Sequence, residues 1–329
     1  MIVKSKPFPQ IRAEERSSLV MLDTAIALIP PFFMAVFYYG IRSLALGALT
    51  VLAALVTNWI SSLFNGRGIE WWDASPVVTG MIIALMMPAS IPFYIPMLAA
   101  VFAIFVVKFP YGGTGNNVFN PAAAGLAFVT ICFGTQLSGY PTPLEPLSLV
   151  VDETVKLVQG PAAILKMGAI PTISTEQLAL GNFAGPMGTT NILVIAACLV
   201  YLLVRKNVKW YVPAAYLGTV CVFASRIHHE DIGAMESIIL ELVAGSLMFV
   251  AVYMLTEPVT LPKRPMAKIF YAVTAGIVTM LFRYYGAVHY SAVFALLLTN
   301  AFSPLFDHLV ERGNLIELME RRADHEEDE

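Results

Sequence analysis

Side chains able to do chemistry are sparse in this chain and gather at a few polar interruptions of apolar sequence. The richest interruption is Gly112-Gly113-Thr114-Gly115-Asn116-Asn117-Val118-Phe119-Asn120-Pro121, which runs straight into the apolar stretch from Ala122 to Phe128. Glycine permits positive φ and close backbone approach. The amides of Asn116, Asn117 and Asn120 offer donors and acceptors to a polar heterocycle or an ion. Phe119 and Phe128 set rings beside them. Such a loop at membrane depth is tolerated only where protein or a bound molecule satisfies its backbone. Two readings follow: a tight re-entrant turn without a ligand, or a membrane-embedded site for a cofactor or ion. A second interruption, Thr256-Glu257-Pro258-Val259-Thr260, places a carboxylate where it can accept from a ligand N–H or hydroxyl. Asp23 and Glu241 lie inside apolar segments, where an ionisable group is costly without a role or a partner. Each is a candidate for an ion pathway or for a hydrogen-bonded structural carboxyl.

Other chemistry is thin. Cys132, Cys198 and Cys221 are isolated, without metal-ligand spacing, and read as small buried hydrophobes. His228-His229-Glu230-Asp231 reads as a solvated outer loop. No phosphate-binding loop or nucleophile elbow is present. No catalytic residue, metal site or nucleic-acid surface is assigned.

The elements that must position these residues are membrane helices. Mean hydropathy is +0.71, 57% of residues are hydrophobic and 13% are charged. A soluble domain carries roughly twice that share of charge. Full spans are expected at 18–39, 43–64, 92–110, 190–205, 210–226, 233–255, 266–283 and 286–308. Two shorter pieces, 76–89 and 118–134, fall below the roughly 20 residues of a straight crossing. The expectation is an all-α polytopic protein of about ten spans. The polar and basic start and the length of the first apolar run do not read as a signal peptide. With alternating spans and a cytoplasmic N-terminus, fifteen lysines and arginines fall on the cytoplasmic side and five outside, which places both termini in the cytoplasm. The boundaries follow: 1–17 a cytoplasmic N-terminal segment, 18–135 a first five-helix repeat, 136–189 an outer segment with one short helix over 161–168, 190–310 a second repeat, and 311–329 an acidic cytoplasmic tail. Thr79-Gly80-Met81 leads to Pro88 and Pro92, much as Gly245-Ser246-Leu247 leads to Pro258 and Pro262. Five spans per half is an odd number, so the halves must be inverted. Inverted repeats with broken helices place a site near the midplane.

The chain resembles a known family through several of these stretches taken in order. They are Lys6-Pro7-Phe8-Pro9-Gln10-Ile11-Arg12, Met21-Leu22-Asp23, Asp73-Ala74-Ser75-Pro76-Val77-Val78-Thr79-Gly80, Gly115 to Ala122, Gly185-Pro186-Met187-Gly188-Thr189-Thr190 and Thr256 to Thr260. They look like the RnfD component of the Rnf electron-transport complex and the NqrB component of the Na⁺-translocating NADH:quinone reductase. The resemblance implies a ten-helix inverted repeat related in fold to urea transporters, in a bacterial or archaeal cytoplasmic membrane, among other membrane subunits and lipid. It implies non-covalent riboflavin within the helices and FMN esterified to a threonine in the outer segment. Asn116, Asn117, Phe119, Asn120, Thr79, Glu257 and Thr260 match the riboflavin-side motifs.

Three positions depart from the family pattern. The helix start Pro161-Ala162-Ala163-Ile164-Leu165-Lys166 is preceded by Gly160 where the acceptor threonine belongs. Glycine has no hydroxyl, so covalent FMN is not expected. Glu257 stands where the family has Asp, and Thr189 where it has Glu. The implied function is a flavin-carrying subunit of an oxidoreductase that moves Na⁺ or H⁺. The alternative is a non-redox transporter or channel-like protein on the same scaffold, for a small polar solute or flavin.

Overall fold

The computed structural model describes residues 13–64, 73–113, 115–150, 155–167, 169–171, 173–227, 233–286 and 290–313. The Lys6–Arg12 motif, the His228–Asp231 loop and most of the acidic tail lie outside the described residues.

The described chain is helical. The first half holds α1 (Ala13–Tyr39), α2 (Ile41–Phe64), α3 (Ser75–Leu85), α4 (Tyr94–Phe102) and α5 (Pro121–Cys132). The helix begun by α4 continues through a π turn, Ala103–Lys108. A connecting segment follows, with α6 (Gly134–Leu137), α7 (Pro161–Lys166) and α8 (Thr175–Leu180). The second half holds α9 (Ile192–Val204), α10 (Tyr211–Arg226), α11 (Ala234–Val243), α12 (Leu247–Phe249), α13 (Pro265–Tyr284), α14 (Ser291–Ala301) and α15 (Ser303–Gly313). A second π turn, Val250–Met254, extends α12. Among the described residues, four helices are long and apolar enough to cross a membrane, or six if two bent pairs each count as one span.

Two stretches expected to be continuous are broken. Residues 233–255 bend by 66° between α11 and the α12 helix. Gly245 sits at the bend with φ +118°, a conformation open to glycine and strained for other residues. Residues 286–308 bend by 50° between α14 and α15. Pro304 lacks an N–H, and its ring clashes with the carbonyl four residues back, that of Asn300.

Broken helices leave carbonyls that lipid cannot satisfy, and the fold supplies partners. Beyond the end of α3, Arg42 donates from Nε to Ala89 O (2.8 Å) and from Nη2 to Ile91 O (2.8 Å), with its guanidinium 4.6 Å from the Phe93 ring centre. Gly188 N donates to Leu85 O (2.8 Å) and Met187 N to Met87 O (3.0 Å). Arg283 plays the same part at the second break, donating from Nη2 to Ala244 O. A cation at a helix C-terminus also suits the helix dipole.

The connecting segment is more structured than a loop with one helix. α7 is the expected short helix, but α8 and a two-stranded antiparallel pair, β1 (Tyr140–Pro141) with β2 (Leu157–Val158), accompany it. α8 carries a legible signal: Ser174 and Gln177 form a reciprocal capping box.

The core runs through both halves. Leu28, Leu46, Ile83 and Met86 are fully buried with Phe249 and Tyr271. α2 packs on α3 and α4, and α4 on α5; in the second half α10 packs on α11 and α13, and α13 on α14. The small residues after Asn120 turn inward. Gly125 lies so close to α4 that an added Cβ would sit 2.5 Å from Ala99 O. Cys198 is buried, but Cys132 is exposed at the end of α5, against expectation. The last turn of α5 faces outward there, beside exposed Ile131.

Candidate functional site

The Asn-rich loop and the Glu257 stretch meet. Asn120 caps α5: its Oδ1 accepts from Ala123 N (3.0 Å) and Pro121 fills the first helical position, where no N–H is needed. Its Nδ2 donates to Met254 O (3.2 Å), the last carbonyl of the π turn in the other half. Asn117 Nδ2 donates to its own loop at Phe119 O (3.1 Å) and across to Glu257 Oε1 (3.3 Å). Thr260 Oγ1 donates to Glu257 Oε2 (3.4 Å) and its carbonyl accepts from Ser303 Oγ (2.9 Å). Nearby, Tyr271 Oη donates to Asn300 Oδ1. Short π-helical turns recur at functional sites, and here each ends on the polar cluster, one at Met254 and the other at Lys108.

Lys108 escaped the sequence reading. It is 2% exposed, and its Nζ donates to Asp73 Oδ2 and Asn58 Oδ1, each at 3.0 Å. It lies within electrostatic reach of Glu257. Asp73 in turn accepts from Ser75 N (2.9 Å), the first residue of α3. A lysine at the end of an apolar run reads as a snorkelling surface charge, so only the fold reveals its partners.

Thr79, Asn120 and Glu257 line one narrow cleft of about 40 Å³. Its other walls are apolar, Met21, Val78, Ile82 and Tyr253 among them. Thr79 Oγ1 donates to Ser75 O (2.9 Å), which leaves its lone pairs as acceptors. The Asn120 side chain also engages the Glu257 carboxylate, which keeps further lone pairs for a ligand donor. Asn117 and Thr260 grip Glu257 from behind. Phe119 contributes its carbonyl. Asn116 is exposed, with Nδ2 toward Gly112. Phe128 stacks on Phe102 at 4.2 Å, within the contact between α4 and α5.

The polar chemistry suits an isoalloxazine, which offers an imide N–H to an acceptor and carbonyls to a donor. The volume does not in this conformation. A water occupies roughly 10–15 Å³ by this measure, so the cleft holds a few waters, and a tricyclic ring requires its walls to part.

The candidate ion-pathway carboxylates are both held in ion pairs. Asp23 meets Arg205 Nη2 at 3.0 Å and accepts from Asn207 Nδ2 (2.8 Å) and Tyr201 Oη (3.3 Å). Asn207 also lines the cleft, which links Asp23 to its mouth. Glu241 meets Arg283 Nε at 2.7 Å and accepts from Tyr284 Oη (3.1 Å). Glu241 lies at the far end of the molecule, beside the break at Gly245.

Comparison with known proteins agrees with the resemblance. A model of the NQR2, RnfD, RnfE family matches residues 3–315. The D component of the Na⁺-translocating ferredoxin:NAD⁺ oxidoreductase complex of Acetobacterium woodii is 28% identical, over 92% of this chain and 92% of its own length. The D component of the proton-translocating ferredoxin:NAD⁺ oxidoreductase complex of Clostridium ljungdahlii is 26% identical, over 92% and 93%. The D component of the ion-translocating oxidoreductase complex of Halorhodospira halophila is 28% identical, over 92% of both.

Proposed function

Because the chain belongs to the NQR2, RnfD, RnfE family, we propose that it is the D-type membrane subunit of an ion-translocating ferredoxin- or NAD-linked oxidoreductase complex, with non-covalent riboflavin in the cleft at Glu257. One observation carries the flavin reading: residues 117–120 of one half bond directly to Met254 and Glu257 of the other, enclosing a polar-edged apolar cleft. Bound flavin would supply one- and two-electron redox chemistry there. The chain's own residues would bind and orient it. Glu257 would accept from the ring imide N–H, with Asn117 and Thr260 fixing its carboxylate, and Asn120 would exchange its contact with Glu257 for a ring carbonyl. The walls that would have to part are the loop into α5 and Thr256–Pro258, which lie outside the helices. Na⁺ or H⁺ would move in the same complex, since the named relatives divide between the two.

The ten-span inverted repeat belongs to the same proposal, with repeats at 18–135 and 190–310, both termini cytoplasmic and 136–189 outside, in a bacterial or archaeal inner membrane. Four long helices, two bent pairs, the short helices α3, α5 and α9, and α10 together make ten segments. The matching packing order of the two halves supports the repeat. Gly160 supports the absence of covalent FMN.

Flavin extracted from the purified chain after denaturation, identified by absorbance and mass, tests the reading. Asn120→Leu removes a donor to a buried partner, worth roughly 1–3 kcal/mol, so flavin affinity should fall about tenfold or more while the protein still inserts. Full flavin retention in that variant would overturn the site. The closed cleft by itself favours a second reading, a non-redox pathway for an ion or small polar solute; a flavin-free protein active in solute uptake would support it.

A further inference from the structure

A groove opens where α2 begins, against the link between α3 and α4. It holds about 820 Å³ and is lined by Arg42, Ser90, Phe93, Met97, Gln136 and Leu157, among others. We infer that it holds an anionic phospholipid, whose phosphate supplies the counter-charge that Arg42 lacks and whose acyl chain lies along the apolar wall. The inference is independent of the flavin reading of the Glu257 cleft.

The two arginines that bond carbonyls at broken helices differ in one respect. Arg283 has a carboxylate beside it, with Glu241 2.7 Å from its Nε. Arg42 is 3% exposed and pairs with no carboxylate among the described residues. Its Nε and Nη2 donate to the carbonyls of Ala89, Ser90 and Ile91, and its Nη1 to Leu149 O. Those carbonyls and the Phe93 ring answer the charge with dipoles and a quadrupole, not with a full negative charge. A guanidinium has five N–H donors, so one remains without an acceptor among the described residues. A buried cation in a membrane protein is costly without a partner or a role. What lies beside Arg42, where Arg283 has Glu241, is the groove.

Depth and lining fit a lipid. The 24 residues of α2 span about 36 Å, more than a hydrocarbon core of about 30 Å. Arg42 is the second of them and stands at headgroup level. α4 runs beside α2, with Phe93 meeting Arg42 at one end and Lys108 meeting Asn58 at the other. Met97 therefore lies about a turn deeper than Tyr94, and the groove leads from the charge toward the apolar interior. Tyr94, exposed and on the groove wall, is of a type that gathers at membrane interfaces. Lipid tails are as apolar as leucine, so the apolar wall alone selects nothing. The charge selects: a basic residue at the membrane surface favours anionic lipid about fivefold.

The test is native mass spectrometry of the full-length protein, delipidated in neutral detergent and given equal amounts of phosphatidylglycerol and phosphatidylcholine with matched chains. One phosphatidylglycerol should be retained, about fivefold or more in preference to phosphatidylcholine. Arg42→Gln should remove the preference but also unseats the carbonyls beyond α3, so Ser90→Asp carries the argument. It sets a carboxylate beside Arg42 and should remove the preference while keeping the parent melting temperature. Met97→Trp, which fills the groove, should also remove it. Equal retention of the two lipids, or a preference that survives Ser90→Asp and Met97→Trp, would overturn the proposal. Asp152 and Glu153 fall between Val150 and Val155 of the groove wall and lie outside the described residues. Asp152→Asn with Glu153→Gln should leave the delipidated protein's melting temperature unchanged; a sharp drop would make the chain itself the counter-ion and sink the lipid. In membranes holding the assembled complex, a photoactivatable phosphatidylglycerol should label α4 near Met97. A neighbouring subunit seated in the groove would block that label and exclude the lipid.

Discussion

Glu241 and Asp23 show how burial decides what an intramembrane carboxylate does for the fold. The Glu241–Arg283 pair is 3% and 8% exposed, whereas Arg205, the partner of Asp23, is 53% exposed. Removing one partner of a buried pair leaves an uncompensated charge and costs about 3–5 kcal/mol; replacing both with apolar residues is close to neutral. Glu241→Ala should therefore lower the melting temperature sharply, while Glu241→Met with Arg283→Leu should restore part of it and not all, because Ala244 O then loses its donor. If the double variant folds but its complex stops moving ions, Glu241 is on the pathway and not only in the frame. An exposed pair is worth about 1 kcal/mol or less, but Asp23 is itself 9% exposed and also accepts from Asn207 and Tyr201, so Asp23→Ala should lower the melting temperature measurably, though less than Glu241→Ala, because the Arg205 charge it leaves behind reaches solvent. A drop as large as that of Glu241→Ala would show that Asp23 is more deeply committed than its geometry indicates.

At the scale of elements, the site depends on where helices stop. Asn120 reaches Met254 because α5 begins and the π turn ends at the same place. α5 is fixed there by its close approach to α4. A Cβ on Gly125 would meet Ala99 O at 2.5 Å and the Ala103 side chain at 3.1 Å. Gly125→Val should therefore force α4 and α5 apart, costing about 1–3 kcal/mol, and should reduce flavin content through the displaced Asn120. Ala124→Val, at a half-buried position, should do neither. A Gly125→Val protein with parent stability and flavin would show that the contact with α4 does not position the cap.

For the whole molecule, the charge asymmetry makes a topological prediction. Reporter fusions after residue 313 should read cytoplasmic, and a fusion within the Pro161–Lys166 helix should read external. A tail accessible only from outside would remove the inverted repeat along with the orientation. The membrane-facing surface carries exposed Phe33 and Phe37 on α1 and Leu52 and Ile60 on α2, available to lipid or to neighbouring helices. Gentle extraction should retain other membrane subunits at fixed stoichiometry; an active monomer would contradict the complex.

The sequence alone determined the helical membrane class and the family, and it marked the amide loop and the Glu257 stretch as separate polar interruptions; that the two meet was decided by the tertiary structure. Class, family and polar interruptions are carried by composition, by runs of hydrophobic residues and by short ordered motifs, all local properties. The sequence did not disclose that Asn116 faces away from the cleft while Asn117 grips Glu257, since adjacent asparagines are chemically identical until the backbone orients them. Nor did it disclose that Lys108 pairs with Asp73, 35 residues away, or that Arg42 and Arg283 bond the carbonyls at broken helices. Those partners are distant in sequence, and only packing brings them within hydrogen-bond reach. The breaks at Gly245 and Pro304 fall inside stretches whose length and mean hydropathy read as full spans, because hydropathy records how apolar a segment is and not where its backbone turns.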